Sequence, residues 1–493
     1  MKAPKRSYVQ HRLFQMIDME AIVPQNHILR KLKDVIDFSQ VHEWVAPLYS
    51  EKMGRPSIDP ELVVRIIVLE YLFNHSEREL FGILPMHAGY LWFCGLDFES
   101  PLPDRTTLVK TRALWRKHHI FDRIMHHVVD QCIAAGLVKP DVHAGVDGTQ
   151  VRANASIHSL KEKELAPVQS LEAYLLNLEK EDQKVSTDSD DHPNDRRDDD
   201  NNHPPASVAS QQKPKTHELE AYDTCENFRG KKFSNQTHRS VTDPDARLYR
   251  KSNGQEAHLR YLVHNLMDVE SGVILATTAS IASGEAEREV SLQQLAEVRF
   301  RHKQIRIRTL SGDKNYGTPS YLRSLFLQGI IPLISLRNPK MEEIPTWKRK
   351  TNNPEIQRKR QEKVEEIRAK NRVRQIQRDG KYRDIQKKRT RLEHGYAEAK
   401  NEHGLDRARS RGLECMQEQA LCTAIIQNLK RLCRFKEKRP DTGILACAKT
   451  KNGRKLVNVY RWTVSLFVKF HEQITQMMSN MSVFHQASRS IVK

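Results

Sequence analysis

The sequence has no Cys-x2-Cys pair, no long apolar run and no sustained heptad pattern. Its seven cysteines, Cys94, Cys132, Cys225, Cys415, Cys422, Cys433 and Cys447, are odd in number and scattered. That excludes a zinc ribbon by spacing and favours reduced thiols in a cytosolic protein over a disulfide framework. The start, Met1-Lys2-Ala3-Pro4-Lys5-Arg6, carries charge with no apolar core behind it, so no signal peptide is expected. The apolar run from Trp462 to Phe470 is broken by Lys469 and is too short for a bilayer, so no membrane partner is expected and the protein should be soluble. Large apolar side chains are nearly absent from residues 183–216, which hold Asp188, Asp190, Asp191, Asp195, Asp198, Asp199 and Asp200. Without the glycine and terminal glutamate of a calcium loop, this acidic insertion reads as a disordered, solvated linker.

What is there in excess is positive charge. A chain of 493 residues with a net charge of +19 and a pI near 9.5 points to a polyanionic partner, since phosphate contacts release counterions and supply non-specific affinity. The length allows two or three domains with a sizeable core.

Residues 24–135 read as helical. His27 to Phe38 has amphipathic spacing, with Ile28, Leu29, Leu32, Val35 and Ile36 on one side. Asp59 can cap the next helix, Pro60 suits its first turn, and Leu62 through Phe73 supply an apolar body. Ser76-x-x-Glu79 has the form of a capping box and opens a further helix. The two could form a DNA-reading pair, but Leu80, Phe81, Ile83 and Leu84 with a single arginine favour packing over base recognition.

From Gly136 the pattern changes to strands. Asp141 to Ala155 comes first; Tyr261 to Asp268 and Gly272 to Ala279 form a pair about the turn Val269-Glu270-Ser271; Gln304 to Leu310 and Ile330 to Leu336 follow, alternating with helices at Glu285 to Val298 and Pro319 to Gln328. A meander followed by alternation predicts an α/β fold, a mixed sheet flanked by helices.

Three segments carry the candidate chemistry. In the first strand, Asp147 stands inside an apolar run and is followed by Gly148, whose missing side chain lets a ligand or another group approach. Gly312-Asp313 lies just beyond the end of a later strand, where ligands bind in open α/β sheets. In a late helix, Arg389, Glu393 and Lys400 fall on one face at steps of four and then seven. Carboxylates are oxygen ligands for hard cations, and the basic residues beside them suit phosphate, with arginine able to grip two oxygens.

Taken together, these segments resemble a DDE transposase of bacterial insertion sequences. Asp147, Asp313 and Glu393 stand in the places of the acidic triad, and Arg389-x3-Glu393-x6-Lys400 resembles the C-terminal signature, with Gln386 where a tyrosine is often found. The likeness extends to Gly54-Arg55-Pro56-Ser57-Ile58-Asp59-Pro60, Ser76-Glu77-Arg78-Glu79-Leu80, Phe93-Cys94-Gly95-Leu96, Pro103-Asp104-Arg105-Thr106-Thr107 and Thr242-Asp243-Pro244-Asp245-Ala246-Arg247. Asp243 and Asp245 suit turns better than catalysis. Glu398 is a rival third acid, but it points away from the Arg389 and Lys400 face.

The resemblance implies an RNase H-like core and a site holding two Mg²⁺ or Mn²⁺ ions at Asp147, Asp313 and Glu393. It implies cleavage of double-stranded DNA at the terminal inverted repeats of an element, then attack of a 3′-hydroxyl on target DNA, by a homodimer in the DNA complex. Localisation would be the bacterial cytoplasm, in association with the nucleoid. The alternatives are an RNase H-like nuclease without strand transfer and an inactive DNA-binding relic. Residues 348–391 are the most basic stretch, and Asn352-Asn353-Pro354 would start a helix there. Lys348, Arg349, Lys350, Lys387 and Lys388 are expected to contact DNA phosphates with Arg389 and Lys400, rather than merely to solvate a helix. The expected division is an N-terminal arm (1–23), a helical domain (24–135), a catalytic domain (136–435) with an insertion at 157–240, and a C-terminal tail (436–493).

Overall fold

The computed structural model describes residues 18–50, 54, 57–163, 233–250, 256–283, 286–347, 351–380 and 382–438. The acidic run at 183–216, Lys348, Arg349 and Lys350, most of the N-terminal arm and all but the start of the C-terminal tail lie outside the described residues.

The N-terminal region is helical: α1 (Met19–Ile22), α2 (Ile28–Val35), α3 (Val41–Val45), α4 (Pro60–Leu72), α5 (Glu77–Ile83), α6 (Ala88–Cys94), α7 (Arg105–Lys117) and α8 (Ile120–Ala134). Local signals set the boundaries. The Asp59 carboxylate accepts from the Glu61 N–H, with Pro60 in the first turn of α4. Ser76 and Glu79 complete a reciprocal capping box at α5, and the left-handed Gly95 ends α6. Arg112 of α7 binds Glu70 of α4 at 2.8 Å and Glu77 of α5 at 2.6 Å, while Leu80 is fully buried. These contacts tie α5 into the helical body.

Among the described residues eight strands follow: β1 (Asp141–Arg152), β2 (Leu160–Glu162), β3 (His238–Ser240), β4 (Arg247–Tyr249), β5 (His258–Asp268), β6 (Ile274–Ile281), β7 (Arg306–Gly312) and β8 (Ile331–Ile334). β2 and β3 make a separate ribbon. In the main sheet β1 lies between β5, antiparallel to it, and β7, parallel to it; β8 continues beyond β7, and both β4 and β6 pair antiparallel with the outer side of β5. β6 starts two residues later than the pattern predicts, because Gly272 takes a positive φ and the Asp268 carboxylate gathers the N–H groups of Glu270 and Ser271 into the turn.

The remaining helices are α9 (Ala286–Arg301), α10 (Pro319–Leu327), α11 (Pro354–Asp379), α12 (Arg383–Lys387), α13 (Thr390–His403) and α14 (Leu413–Lys438). Asn353 caps α11 by accepting from Glu355 and Ile356. α14 departs from a one-sided amphipathic helix: Leu421, Ile425, Ile426 and Leu429 are buried, and so are Gln419, Gln427 and Asn428. It runs between the N-terminal helices and the sheet, so its polar side chains bond backbone instead of water. Asn428 both accepts from and donates to Ile274, each at 2.8 Å, and Gln427 donates to the Gly395 carbonyl at 2.7 Å. One hydrophobic core consequently extends from Leu29 and Trp115 through Ile425 to Val146 and Leu310. Among the described residues no helix is long and apolar enough to cross a membrane.

Candidate active site

Register brings the two aspartates together. β1 and β7 run parallel with Gly145 opposite Ser311, and two further residues along each chain reach Asp147 and Asp313. Equal steps on adjacent parallel strands leave both side chains on one face. Asp147 lies in the middle of a twelve-residue strand rather than at its end, whereas Asp313 is the first residue beyond β7.

Glycines let α13 approach that face. A Cβ on Gly145 would lie 2.5 Å from Leu392 Cδ1, and one on Gly395 would lie 2.9 Å from Met267 Cε. Leu392 therefore seats directly on β1, and Glu393 follows it at the helix start. The buried Tyr396 fixes the same helix: its hydroxyl donates to the Asp147 carbonyl at 2.6 Å and accepts from the Asn265 N–H at 3.0 Å. Asp147 and Asn265 are register partners, so this one hydroxyl joins both strands to α13 at the level of the acid.

The charges register the convergence. Burial pushes the Asp147 carboxyl above its ordinary range; the Gly148 N–H and Arg389 oppose this, and the carboxylates of Asp313 and Glu393 reinforce it. Arg389 pairs with Glu393 at 3.4 Å, four residues apart. Asp147 and Asp313 make no salt bridge to a described residue, and the only side-chain hydrogen bond of Asp147 is from the Gly148 N–H at 2.9 Å. Carboxylates grouped without sufficient cationic partners repel one another, and a divalent cation relieves this; Mg²⁺ and Mn²⁺ prefer such oxygen donors. Asp147, Asp313 and Glu393 offer the oxygen donors that such an ion takes, though their ligand atoms do not all lie within 4.8 Å of one another.

The basic residues divide. Lys400 Nζ donates to the Gln150 carbonyl at 3.0 Å, which places it on β1 just past Asp147. Lys388 pairs with Glu270 at 3.1 Å and Lys387 lies 3.8 Å from Asp384, so each already has an acidic partner. With Lys139 and Lys388 beside it, Glu270 is held down at about 2. The rival Glu398 faces elsewhere: it contacts Lys430 at 2.6 Å and Arg431 at 3.3 Å, and although burial opposes it, His403, Arg431 and Lys430 hold its carboxyl far below the usual range. Asp243 and Asp245 are structural, accepting from the Gly412 and Leu413 N–H groups ahead of α14.

Two further groups at the site escape sequence reasoning. Glu287, in the first turn of α9, has its pKa raised by burial and then by the charges of Asp147 and Asp313. Tyr316, just after Asp313, is buried against Gly312. An acid in a helix's first turn is ordinary, so nothing local marks Glu287.

Two family models match this sequence. One, described as Transposase domain (DUF772), covers residues 17–114, and the other, Transposase DDE domain, covers residues 228–429. Together they span more than half of the chain. No solved structure matches.

Proposed function

We propose how the site works in a chain that belongs to the DDE transposases of insertion sequences. The family makes it a polynucleotidyl transferase or nuclease that acts on DNA and uses divalent metal ions. Our reading is that Asp147, Asp313 and Glu393 are the catalytic acids and hold Mg²⁺ or Mn²⁺, two ions in all. The observation that supports it is the parallel register of β1 with β7, which sets Asp147 and Asp313 at matching positions of adjacent strands, together with the glycine-lined seat on which the start of α13, with Glu393, rests.

The strand order β6-β5-β1-β7-β8, antiparallel on one side of β1 and parallel on the other, supports an RNase H-like core. On this reading residues 136–435 form the catalytic domain and 24–135 the helical domain that helps to place DNA. A divalent cation, when bound, supplies activation of the attacking oxygen and charge neutralisation at the phosphodiester. The protein's own part is orientation. Tyr396 locks α13 to β1, which fixes where the start of that helix, with Glu393, stands relative to Asp147. Arg389, beside Glu393, can grip a phosphate, and Lys400 adds positive charge farther along the strand. A cleft of about 620 Å³ next to Glu287, lined by Arg288, Lys314, Asn315 and Arg337, gives a polyanion a way in.

The same site would cut at the element's terminal inverted repeats and then join the released 3′-hydroxyl to target DNA, in a homodimer that pairs two ends. A strand-transfer assay with Mg²⁺ and the element's end DNA, on wild type and Asp313→Ala, tests this. Joined products from the wild type alone are expected. Cleavage without joining would indicate a nuclease, and DNA binding without cleavage in both would indicate an inactive relic.

A further inference from the structure

Away from the acids of the site, a chain of four titratable side chains joins the helical region to the catalytic sheet. His126 of α8 places Nδ1 3.1 Å from Nε2 of His302, the residue just past α9. At the outer ends, His126 Nε2 lies 3.0 Å from Glu297 Oε1 of α9, and His302 Nδ1 lies 2.8 Å from Asp130 Oδ1 of α8. Each of the three contacts therefore bridges the two helices. His302 is fully buried and His126 nearly so, while Glu297 and Asp130 each keep a partly exposed carboxylate. Three contacts of hydrogen-bond length need three bridging protons. Ionised carboxylates offer none, and two neutral imidazoles carry one each. With two protons, one contact would set lone pair against lone pair, which is most costly where the groups are buried.

We propose that this chain is a proton-dependent latch: one proton beyond those of two neutral imidazoles, shared by His126 and His302 between Glu297 and Asp130, fastens α8 to the end of α9. The carboxylates at both ends supply the counter-charge that a buried imidazolium needs. The surroundings add no competing cation to the two rings. On α9, Arg301 lies 3.4 Å from Glu297, whose carboxyl is held below its usual range first by the hydrogen bond from His126. On α8, Asp122 pairs with His119 at 3.4 Å and is pushed up by burial, and His127 turns away to the Asp37 carbonyl, edge-on to Trp44 of α3. Arg116 of α7 is taken by Glu418. From α14, Arg431 and Lys436 act on Cys132, farther along α8, and β6, which packs on both helices, carries no titratable side chain. Above about pH 6.5 the imidazoles of the unfolded chain are neutral, so the folded chain binds one proton more than the unfolded. Stability then falls as pH rises, until the shared proton leaves and the latch opens.

The test is urea denaturation of the full chain from about pH 6.5 to about pH 8.5, on wild type, His126→Gln and Asp130→Asn, with circular dichroism to confirm folding at each pH. His126→Gln keeps a hydrogen-bonding side chain that takes up no proton, and Asp130→Asn removes one counter-charge from a half-exposed position. The wild-type unfolding constant should rise with pH more steeply than that of His126→Gln, by up to about tenfold per pH unit, the effect of one proton. In Asp130→Asn the extra slope should end at lower pH. Equal slopes in wild type and His126→Gln would overturn the proposal. Should His126→Gln fail to fold, nitrogen-15 histidine spectra of wild type at about pH 7.5 decide, the pair being identified as the signals that Asp130→Asn moves. Three protonated nitrogens among the four of the two rings are expected, and two neutral rings would overturn the latch.

Discussion

Two groups of charged side chains in this molecule are built alike and finish differently. Around Arg112, the carboxylates of Glu70, Glu77 and Glu418 converge from α4, α5 and α14, and Arg116 and Arg409 complete the pairing. Around Asp147, the charges of Asp313, just past β7, and of Glu393, at the start of α13, are both felt, and the cation that opposes them is Arg389, bound to Glu393. The first group is matched charge for charge and clamps helices together. The second is left short of positive charge, which costs stability in the free protein and leaves oxygen donors for a ligand. Charge balance, more than burial or residue type, separates a structural cluster from a candidate site here.

The sharpest way to break that contrast is to remove an acid from each group. Asp313→Asn should lower strand cleavage by about 10³-fold or more, since metal-held charge stabilisation amounts to several kcal/mol. Its metal-free melting temperature should not fall, as calorimetry can check. In the clamp the reverse is expected. Arg112→Ala leaves Glu70 and Glu418 buried and short of a partner, and should destabilise the fold by about 3–5 kcal/mol in chemical denaturation.

Gly145→Ala probes the seat on which α13 rests. The added methyl meets the fully buried Leu392 and also Val269, so the helix must shift. A stability loss of about 1–3 kcal/mol is expected, with about 10²-fold lower activity because Glu393 moves with the helix. A variant with normal cleavage kinetics would detach Glu393 from the site.

His264 offers a pH signature. Burial pushes its imidazole down to about 4 from 6.5, so in the window between these values the unfolded chain binds a proton that the folded chain does not. Stability therefore falls as pH drops through that window, by up to about 3 kcal/mol, and His264→Gln should flatten the slope in urea titrations between pH 4 and 6.5. The smallest effect is expected at Lys388→Ala. Glu270 keeps Lys139, and an exposed pair contributes about 0.5 kcal/mol, so only weaker DNA binding in a salt titration should reveal the change.

The pieces of the site could be read one at a time from the sequence. Asp147 before a glycine in a strand, Asp313 past a strand end, and the spacing of Arg389, Glu393 and Lys400 are local patterns. Their assembly depends on the register of β1 against β7 and on Gly145 and Gly395 admitting α13, which are long-range facts. The partners of Lys388 and Glu398 lie far off in sequence, so the charge they neutralise could not be anticipated from composition. The helices were plainest where caps were local, at Asp59, Ser76 and Asn353. α14 was hardest, because its polar residues are buried by neighbours from both ends of the fold.

The most direct measurement is anomalous diffraction from crystals soaked in Mn²⁺. Manganese among Asp147, Asp313 and Glu393 is the expected result. A rival location exists where Glu398, Glu402 and His403 place ligand atoms within 4.8 Å of one another. There Lys430 already holds both glutamates, so no metal is expected. Manganese at that cluster, with none beside Asp147, would contradict the account.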